Sequence, residues 1–453
     1  MTSTMKPRSM THYGLICPSA SGHVNTMIPL GQELKRRGHR VTFFGIPITK
    51  TGFRTQEKVL AEDLDFQAIW PSEISQSFSG SQSNKDDQSF SVFTLLPNKK
   101  NIESARLKIG WIPGASVAYQ EKYLNHAPEV IRASGIEALL IDSRASAGAT
   151  VAQYLNIPFV SIFSSVISHF EATVPPLNTT WAYNLSWQGC LRNKIGYEFL
   201  RRKKMPDLKI INIYRRQWNL PLLSSFNDDY SSLAQISQQI IELEFPRPSL
   251  PEHFHFTGPY HYYGSRVPIP FPYDLLTSKP LIYASLGSML GGLQWVIEVI
   301  ISACKDLDVQ VVISRGGINI DDHFENIPEN VILVNNAPQL DLLKKAALTI
   351  THGGINTVLE SLYNGVPLVA IPLFGDQHGM AARIAWSGCG EYITLNKLTV
   401  KSLRSMIEKI FSISTYRVRA SDYKSAIRHS GGVQKAVDII EQAISTGKPV
   451  IDC

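Results

Sequence analysis

The stretch Thr351-His-Gly-Gly-Ile-Asn-Thr-Val-Leu-Glu360 follows a predicted apolar strand and opens a predicted helix. Backbone N–H groups at such a helix start, together with the positive end of the helix dipole, can hold a diphosphate. The two glycines let the backbone approach a ligand closely, and Asn356 and Thr357 add side-chain donors. Glu360 lies one turn after Asn356 on the same helix face. Its carboxylate could therefore accept hydrogen bonds from a pair of ribose hydroxyls.

Three nearby segments carry further polar groups suited to a phosphate and a sugar. Ser285-Leu-Gly-Ser288 is a strand-end loop with small donors, and Asn336-Ala-Pro-Gln339 lies just before the helix that leads into the 348–351 strand. Gly375-Asp-Gln377 supplies a carboxylate and an amide, the pair that the hydroxyls of a hexose require. A glycine-rich turn that merely starts a helix is the alternative interpretation, and these neighbours weaken it.

Apolar segments alternate with helix-like segments along the chain, which predicts βαβ units and parallel sheets. The predicted strands are residues 13–17, 41–44, 138–141, 159–162 and 255–257, then 281–285, 310–313, 331–334, 348–351, 368–371 and 391–395. We therefore predict an α/β protein of two Rossmann-like, doubly wound domains facing a cleft, where ligands of open α/β sheets bind. The predicted units are residues 1–258, a proline-rich linker at 259–279, residues 280–430, and a final helix and tail at 431–453. The pattern does not decide which domain the final helix packs against.

The composition is ordinary for a soluble α/β protein, with 44% hydrophobic and 18% charged residues in a chain of 453. The formal net charge of +6 is too small to indicate a nucleic-acid partner. The charge is uneven, because residues 192–216 hold nine basic side chains and two acidic ones. This stretch is either a solvated helical face or a surface that contacts anionic lipid, and both interpretations remain open.

The five cysteines show no CxxC and no regular spacing, which is typical of reduced thiols in an intracellular protein. The first twelve residues lack the apolar core of a secretory signal. We therefore expect a cytoplasmic location, with peripheral contact to the inner membrane surface through residues 192–216 as the open alternative.

The run from Ile350 to Glu360, followed by Asn364-Gly-Val-Pro367, Asp376-Gln377 and Ala381-Ala-Arg383, resembles the nucleotide-binding half of family 1 glycosyltransferases. Within this UDP-glycosyltransferase superfamily, the run is similar to bacterial zeaxanthin and carotenoid glucosyltransferases. The resemblance spans essentially the whole chain and is specific in residues 281–390. It implies the two-domain B-type fold, a nucleotide-sugar donor and transfer of a hexose, with glucose expected.

The resemblance also implies roles for individual donor-site residues. The diphosphate would be bound by Ser288, His352, Asn356 and Thr357 with the backbone of Gly353 and Gly354. Glu360 would bind the ribose, Gln339 would lie near the base, and Asp376 and Gln377 would bind the sugar. The chain departs from the family at Asn336, where an aromatic residue usually stacks on uracil. UDP is therefore favoured over TDP, but the identity of the base stays open.

His23 and Asp142 are the candidate catalytic residues of the first half. In the family, the histidine after the first strand is the general base, and Gly22-His-Val-Asn-Thr-Met-Ile-Pro-Leu30 matches that position. Asp142 ends an apolar strand and so points into the same cleft, where a carboxylate would fix the imidazole tautomer and stabilise the imidazolium. The plainer alternatives are a helix-start histidine with a satisfied ring and an aspartate that caps a helix.

These assignments imply a single displacement with inversion at the anomeric carbon. His23 would take the proton of the acceptor hydroxyl, a contribution typically worth about 10²–10⁴-fold in rate. His352 and the amides near Gly354 would meet the charge on the leaving diphosphate, so we expect no metal and no other cofactor. We reject the Asp-x-Asp strings at 63–65 and 306–308 as metal sites because they lie in charged contexts beside predicted surface turns.

The acceptor is the least determined part of the interpretation. Residues 157–170 and 175–187 are rich in apolar side chains, which suits a lipophilic acceptor such as a carotenoid or other terpenoid, but suits a buried core equally. Polyketide and phenolic acceptors stay open. Two alternatives of other classes are a nucleotide-sugar epimerase and a catalytically inactive relative that acts as a binding protein.

Overall fold

The computed structural model describes residues 10–46, 55–70, 113–260, 268–287, 293–316, 324 and 327–451. Two parallel β-sheets organise these residues, one in each half of the chain. Of the predicted site residues, Ser288 lies outside the described residues.

In the first sheet, the strand order is β3-β2-β1-β4-β5-β6-β7 among the described residues, and every neighbouring pair is parallel. The strands are β1 (His12–Ile16), β2 (Arg40–Gly45), β3 (Asp65–Ala68), β4 (Ala138–Asp142), β5 (Phe159–Phe163), β6 (Gln235–Ser237) and β7 (Phe254–Phe256). The helices of this half are α1 (Ser21–Arg36), α2 (Thr55–Ala61), α3 (Pro113–Ala133), α4 (Ser146–Tyr154) and α5 (Trp187–Gln217). Short 3₁₀ turns follow at Phe226–Asp229 and Ile241–Leu243.

In the second sheet, the order is β10-β9-β8-β11-β12-β13 among the described residues, again parallel throughout. The strands are β8 (Leu281–Ser285), β9 (Gln310–Ser314), β10 (Val331–Val334), β11 (Ala346–Thr351), β12 (Leu368–Ala370) and β13 (Gly390–Tyr392). The helices are α6 (Gln294–Cys304), α7 (Gln339–Leu343), α8 (Ile355–Tyr363), α9 (Gln377–Ser387), α10 (Val400–Ser412), α11 (Ser414–His429) and α12 (Gly432–Thr446), with 3₁₀ turns at Tyr273–Leu275 and Leu395–Lys397. The expectation of two doubly wound α/β domains is confirmed.

The central strands are buried along their whole length, as in β1, β4, β5, β8 and β9. Parallel strands covered by helices on both faces need such near-continuous apolar sequence, which explains why these segments were predictable. β6 was missed because its sequence, Gln235-Ile-Ser237, is mostly polar although all three residues are buried. The buried Nε2 of Gln235 finds a hydrogen-bond partner in the carbonyl oxygen of Ser231, 3.1 Å away.

The last helix, α12, packs against the first half of the chain. Its Val433, Val437 and Ile440 share one apolar core with Leu15 and Met27. Ion pairs reinforce this contact. Glu441 accepts from Arg37 Nη1 at 2.7 Å and lies 2.9 Å from His39 Nε2. The C-terminal helix therefore completes the first domain although it follows the second in sequence.

Carboxylates of both Asp-x-Asp strings lie in surface ion pairs with lysine or arginine. Asp63 pairs with Lys35 at 2.6 Å, and Asp308 with Lys279 at 3.0 Å. Separately, in the part of the chain that the structure describes, no helix is both long enough and apolar enough to cross a bilayer.

Candidate active site

Each sheet has a point at which its strand order reverses, between β1 and β4 in the first and between β8 and β11 in the second. Open α/β sheets bind ligands at such points, beside the carboxyl ends of the strands. His23 follows β1, Asp142 ends β4, and Ser164 follows β5, so three adjacent strands carry these side chains to one edge.

His23 and Asp142 form a direct hydrogen-bonded pair, with Nδ1 of the ring 2.8 Å from Oδ2 of the carboxylate. Asp142 is fully buried, whereas the His23 side chain keeps 21% of its surface exposed. The second oxygen of Asp142 accepts from the backbone N–H of Arg144 at 2.8 Å. The residue preceding α4 is Ala145, so the alternative of Asp142 as an ordinary helix cap is wrong. A carboxylate on Nδ1 leaves Nε2 as the ring atom able to receive a proton.

The pair shifts the pKa values of both partners. Burial alone would lower the pKa of His23, but the adjacent Asp142 carboxylate outweighs it, and the net pKa is raised from the ordinary value of 6.5. Burial would raise the pKa of Asp142, but His23, the hydroxyl of Ser164 and the amide of Arg144 together lower it. Asp142 therefore stays ionised and stabilises a protonated His23, which suits a general base.

Ser164 is a member of this cluster that sequence reasoning missed. Its Oγ lies 2.6 Å from His23 Nδ1 and also donates to Asp142 Oδ2. Ser164 comes directly after a correctly predicted strand, so a search for small polar residues at strand ends would have found it. Its backbone carbonyl accepts from Gln238 Nε2 at 3.1 Å, which ties the cluster to the segment after β6.

In the second half, His352 lies between two glycine backbones. A Cβ on Gly287 would sit 2.7 Å from Cε1 of the ring, and a Cβ on Gly354 would sit 2.5 Å from Nε2, so both positions require glycine. Burial lowers the pKa of His352 to about 4, although the backbone of Ser285 and the charge of Asp376 act in the opposite direction. His352 is therefore neutral near pH 7. It can offer a hydrogen bond to a phosphate, but not a full positive charge.

Glu360, Gln339 and Thr357 lie together beside the start of α8. Gln339 donates from Nε2 to Glu360 Oε2, and the same nitrogen lies 3.4 Å from Thr357 Oγ1. The hydroxyl of Tyr283 donates to Gln339 Oε1 at 3.0 Å. The structure thus brings the predicted ribose residue and the predicted base residue into one hydrogen-bonded group.

Asp376 directly precedes α9 and Gln377 is its first residue, and their side chains are held differently. Asp376 Oδ2 accepts from the backbone N–H of Val166 at 3.2 Å, a contact between the two halves of the chain. Gln377 Oε1 accepts from the backbone N–H groups of Leu373 and Phe374 at 3.0 and 3.1 Å. The side-chain oxygen of Gln377 therefore fixes the backbone of the loop that precedes Asp376.

Asn356 lies in the first turn of α8, and its side chain spans the cleft. Its Nδ2 donates to the carbonyl oxygen of Gly22 at 2.9 Å, and its Oδ1 accepts from Gln238 Nε2 at 2.8 Å. The sequence predicted Asn356 as a diphosphate ligand and gave no sign of these contacts. Gln238 was not predicted at all, because it follows the strand that the hydropathy pattern failed to reveal.

The apolar segment 157–170 is largely core. Ile162, Phe163, Val166 and Ile167 are fully buried. These four side chains are therefore part of a buried core, which is the alternative to acceptor binding that the sequence left open. Further along, Leu185 and Trp187 are exposed.

Known proteins resemble this chain in sequence and in fold. Residues 222–435 match the model of the family described as UDP-glucoronosyl and UDP-glucosyl transferase. A zeaxanthin glucosyltransferase of Pantoea ananas is 29% identical over 450 residues, covering 98% of each chain. The chain is similar in sequence to UDP-glycosyltransferases. A second UDP-glycosyltransferase relative, the zeaxanthin glucosyltransferase of Pseudescherichia vulneris, is 25% identical over 97% of this chain and 100% of its own.

Solved structures share the fold of this chain. The glycosyltransferase of kitacinnamycin superposes with a TM-score of 0.69 at 19% identity, covering 96% of this chain and 99% of its own. The calicheamicin glycosyltransferase CalG4 gives a TM-score of 0.69 at 20% identity, covering 97% and 100%. The two-domain architecture expected from the resemblance is thereby confirmed.

Proposed function

We propose that this protein is a UDP-glycosyltransferase that moves a hexose, with glucose expected, from a UDP-sugar to a hydroxyl of a lipophilic small molecule, with inversion at the anomeric carbon. The observation that carries the proposal is the buried Asp142 on Nδ1 of the partly exposed His23. This pair lies across the cleft from the start of α8, since Asn356 of that helix bonds to the residue preceding His23.

The reaction follows from these positions. His23 Nε2 takes the proton of the acceptor hydroxyl while its oxygen attacks the anomeric carbon of the donor, and the bond to the nucleoside diphosphate breaks. Asp142 stabilises the imidazolium that forms. The backbone N–H groups at the start of α8 and a hydrogen bond from neutral His352 receive the charge of the leaving diphosphate.

We further propose that the transfer needs no metal ion. The diphosphate would be met by the helix start and by the side chains around it, and the sugar by Asp376 with Gln377. Chelator treatment tests this point directly, because the rate should be unchanged by EDTA and unaffected by added Mg²⁺. A rate restored only by Mg²⁺ would contradict it.

The lipophilic acceptor rests on the names of the relatives. The two zeaxanthin glucosyltransferases match nearly the whole chain, which makes a carotenoid or other hydroxylated terpenoid the first class to examine. The epimerase and inactive-relative alternatives are not favoured, because an epimerase has no need of an acceptor base and an inactive relative has no need of an intact His–Asp pair.

The experiment has two stages. Thermal-shift measurements against UDP-, TDP- and GDP-sugars should give the largest increase in melting temperature for a UDP-sugar. The donor that gives the largest increase is then incubated with terpenoid, polyketide and phenolic alcohols, and the anomeric configuration of the product is determined by NMR. Retention of configuration, or turnover of the donor to an epimer without acceptor, would overturn the proposal.

A further inference from the structure

The first half of α5 differs from a normal surface helix, because its large apolar side chains face solvent and not the core. It buries Gly189, Asn193 and Tyr197, of which Asn193 has no exposed surface. On its outer side it exposes four large apolar residues at four-residue spacing: Trp187 (72%), Leu191 (48%), Ile195 (64%) and Phe199 (57%). We call this row the α5 stripe.

A single exposed leucine is ordinary, but a contiguous row of large apolar side chains marks an interaction surface. Residues four apart on a helix lie one above the other, so the α5 stripe forms one patch along three turns. Leu185, which is 61% exposed just before the helix, extends this patch at its amino end.

Positive charge flanks the α5 stripe. Residues 187–203 contain five basic side chains and one acid, Glu198. Glu198 already accepts from Arg201 Nε and Arg202 Nε, both at 2.7 Å. Lys203 Nζ lies 4.8 Å from the centre of the Phe199 ring, which sets a cation beside the carboxyl end of the stripe.

The α5 stripe is connected to the cleft by a short, anchored segment. After Ser164, the chain runs past the second half, where Leu177 accepts from Gly379 N–H at 2.8 Å. α5 then packs on this segment, because a Cβ on Gly196 would lie 2.9 Å from both Pro176 and Trp181. The helix that carries the stripe therefore packs on a segment that contacts the start of α9, next to Asp376.

We propose that the α5 stripe docks on an anionic lipid surface. Trp187, Leu191, Ile195 and Phe199 enter the boundary between head groups and acyl chains, and the flanking cations contact lipid phosphates. Apolar rows with basic flanks, and tryptophan in particular, suit this boundary. Charge complementarity favours lipid over a second copy of the chain, because pairing two such helices would bring two sets of five cations together.

The test uses the full chain with sedimenting vesicles of phosphatidylcholine alone or mixed equally with phosphatidylglycerol. The wild type should bind the anionic vesicles at least tenfold more tightly than the neutral ones. Replacing Trp187, Leu191, Ile195 and Phe199 together by serine should reduce binding at least tenfold. A control that replaces the scattered exposed residues Leu60, Leu275 and Val418 by serine should bind as the wild type does.

A second variant separates charge from apolar contact. Lys194→Glu with Lys203→Glu should lower binding to anionic vesicles at least tenfold and reduce its salt dependence, with no change on neutral vesicles. Circular dichroism and the thermal shift with a UDP-sugar show that each variant is folded. Vesicle binding is measured without donor or acceptor, so its failure is distinguishable from failure of the proposed transferase activity.

Two results would overturn the proposal. In the first, the wild type does not bind anionic vesicles, or the serine variant binds them as tightly as the wild type. In the second, analytical ultracentrifugation shows a wild-type dimer that the serine variant dissociates, while vesicle binding stays unchanged. That outcome would assign the α5 stripe to a second copy of the chain.

Discussion

Asn356 of the second half of the chain donates from Nδ2 to the carbonyl oxygen of Gly22, 2.9 Å away in the first half. Gly22 precedes His23, so a side chain at the start of α8 contacts the turn that carries the proposed base. Gln238 Nε2 completes the link by donating to Asn356 Oδ1 at 2.8 Å and lying 3.0 Å from Thr26 Oγ1. A polar bridge thereby joins the proposed donor site to the proposed base.

Breaking this bridge should weaken both stability and turnover. Asn356→Ala and Gln238→Ala should each lower the free energy of unfolding by about 1–3 kcal/mol, because each removes at least two hydrogen bonds of the bridge. Calorimetry of the single and double variants should show that their effects are not additive. Asn364→Ala, which removes a bond within the donor half only, serves as the control and should behave additively with Gln238→Ala.

The raised pKa of His23 predicts the acidic limb of the pH–rate profile. A general base must be unprotonated, so kcat/KM should fall as pH decreases through a value above the ordinary 6.5. Asp142→Asn removes the charge that raises this pKa, and the limb should then move to lower pH while the rate drops.

His23→Ala should lower kcat by about 10²–10⁴-fold and leave the thermal shift with the UDP-sugar intact. Unchanged turnover in this variant, or an acidic limb that Asp142→Asn does not move, would count against His23 as the base.

Ser164 should act on the same profile in the opposite direction. Its hydroxyl donates to Asp142, and without that bond the carboxylate attracts the His23 proton more strongly. Ser164→Ala should therefore move the acidic limb upward by about half a unit to one unit, the equivalent of one modest hydrogen bond. Ser164→Thr keeps the hydroxyl and should restore the wild-type profile. A shift to lower pH in Ser164→Ala would exclude this positioning role.

Glu360 can be examined with a modified donor. If its carboxylate accepts from ribose hydroxyls, Glu360→Gln should raise KM for the UDP-sugar by about tenfold to a hundredfold, the usual value of a charged hydrogen bond. The wild type should lose a similar factor with a 2′-deoxyribose donor, and the variant should lose little more with it. If the 2′-deoxyribose donor raised KM by the same factor in the wild type and in the variant, Glu360 would only hold Gln339 and would not contact the ribose.

The apolar central strands and the polar site residues at their carboxyl ends could be predicted from the sequence. The central strands are apolar throughout, and His23, Asp142 and His352 each lie at a strand end, so topology brought them to the expected edges. Sequence reasoning missed β6 and Gln238 because buried polar residues carry no hydropathy signal. Ser164 directly follows β5, so its position at a strand end could have revealed it, as it did for Asp142. The bridge from Asn356 to Gly22 joins residues 334 positions apart, and neither local spacing nor composition reports such a contact.

The final prediction concerns the buried ion pair that joins the two halves. Arg383 of α9 has no exposed surface and donates from Nε to Glu244 at 2.9 Å and from Nη2 to its other oxygen. Burial would raise the pKa of Glu244, but Arg383 and Arg247 together lower it. Arg383→Met should cost about 3–5 kcal/mol of unfolding free energy, because it leaves a buried carboxylate short of a partner.

A matched pair on the surface provides the control. Lys409 and Glu391 lie 2.5 Å apart and are both partly exposed, so Lys409→Met should cost less than about 1 kcal/mol. Adding Glu244→Gln to Arg383→Met should not recover the loss, since the buried Arg247, which also pairs with Glu244 at 3.0 Å, would then lose that partner. Calorimetry that found equal costs for Arg383→Met and Lys409→Met would show that the interdomain pair contributes no more than a surface one.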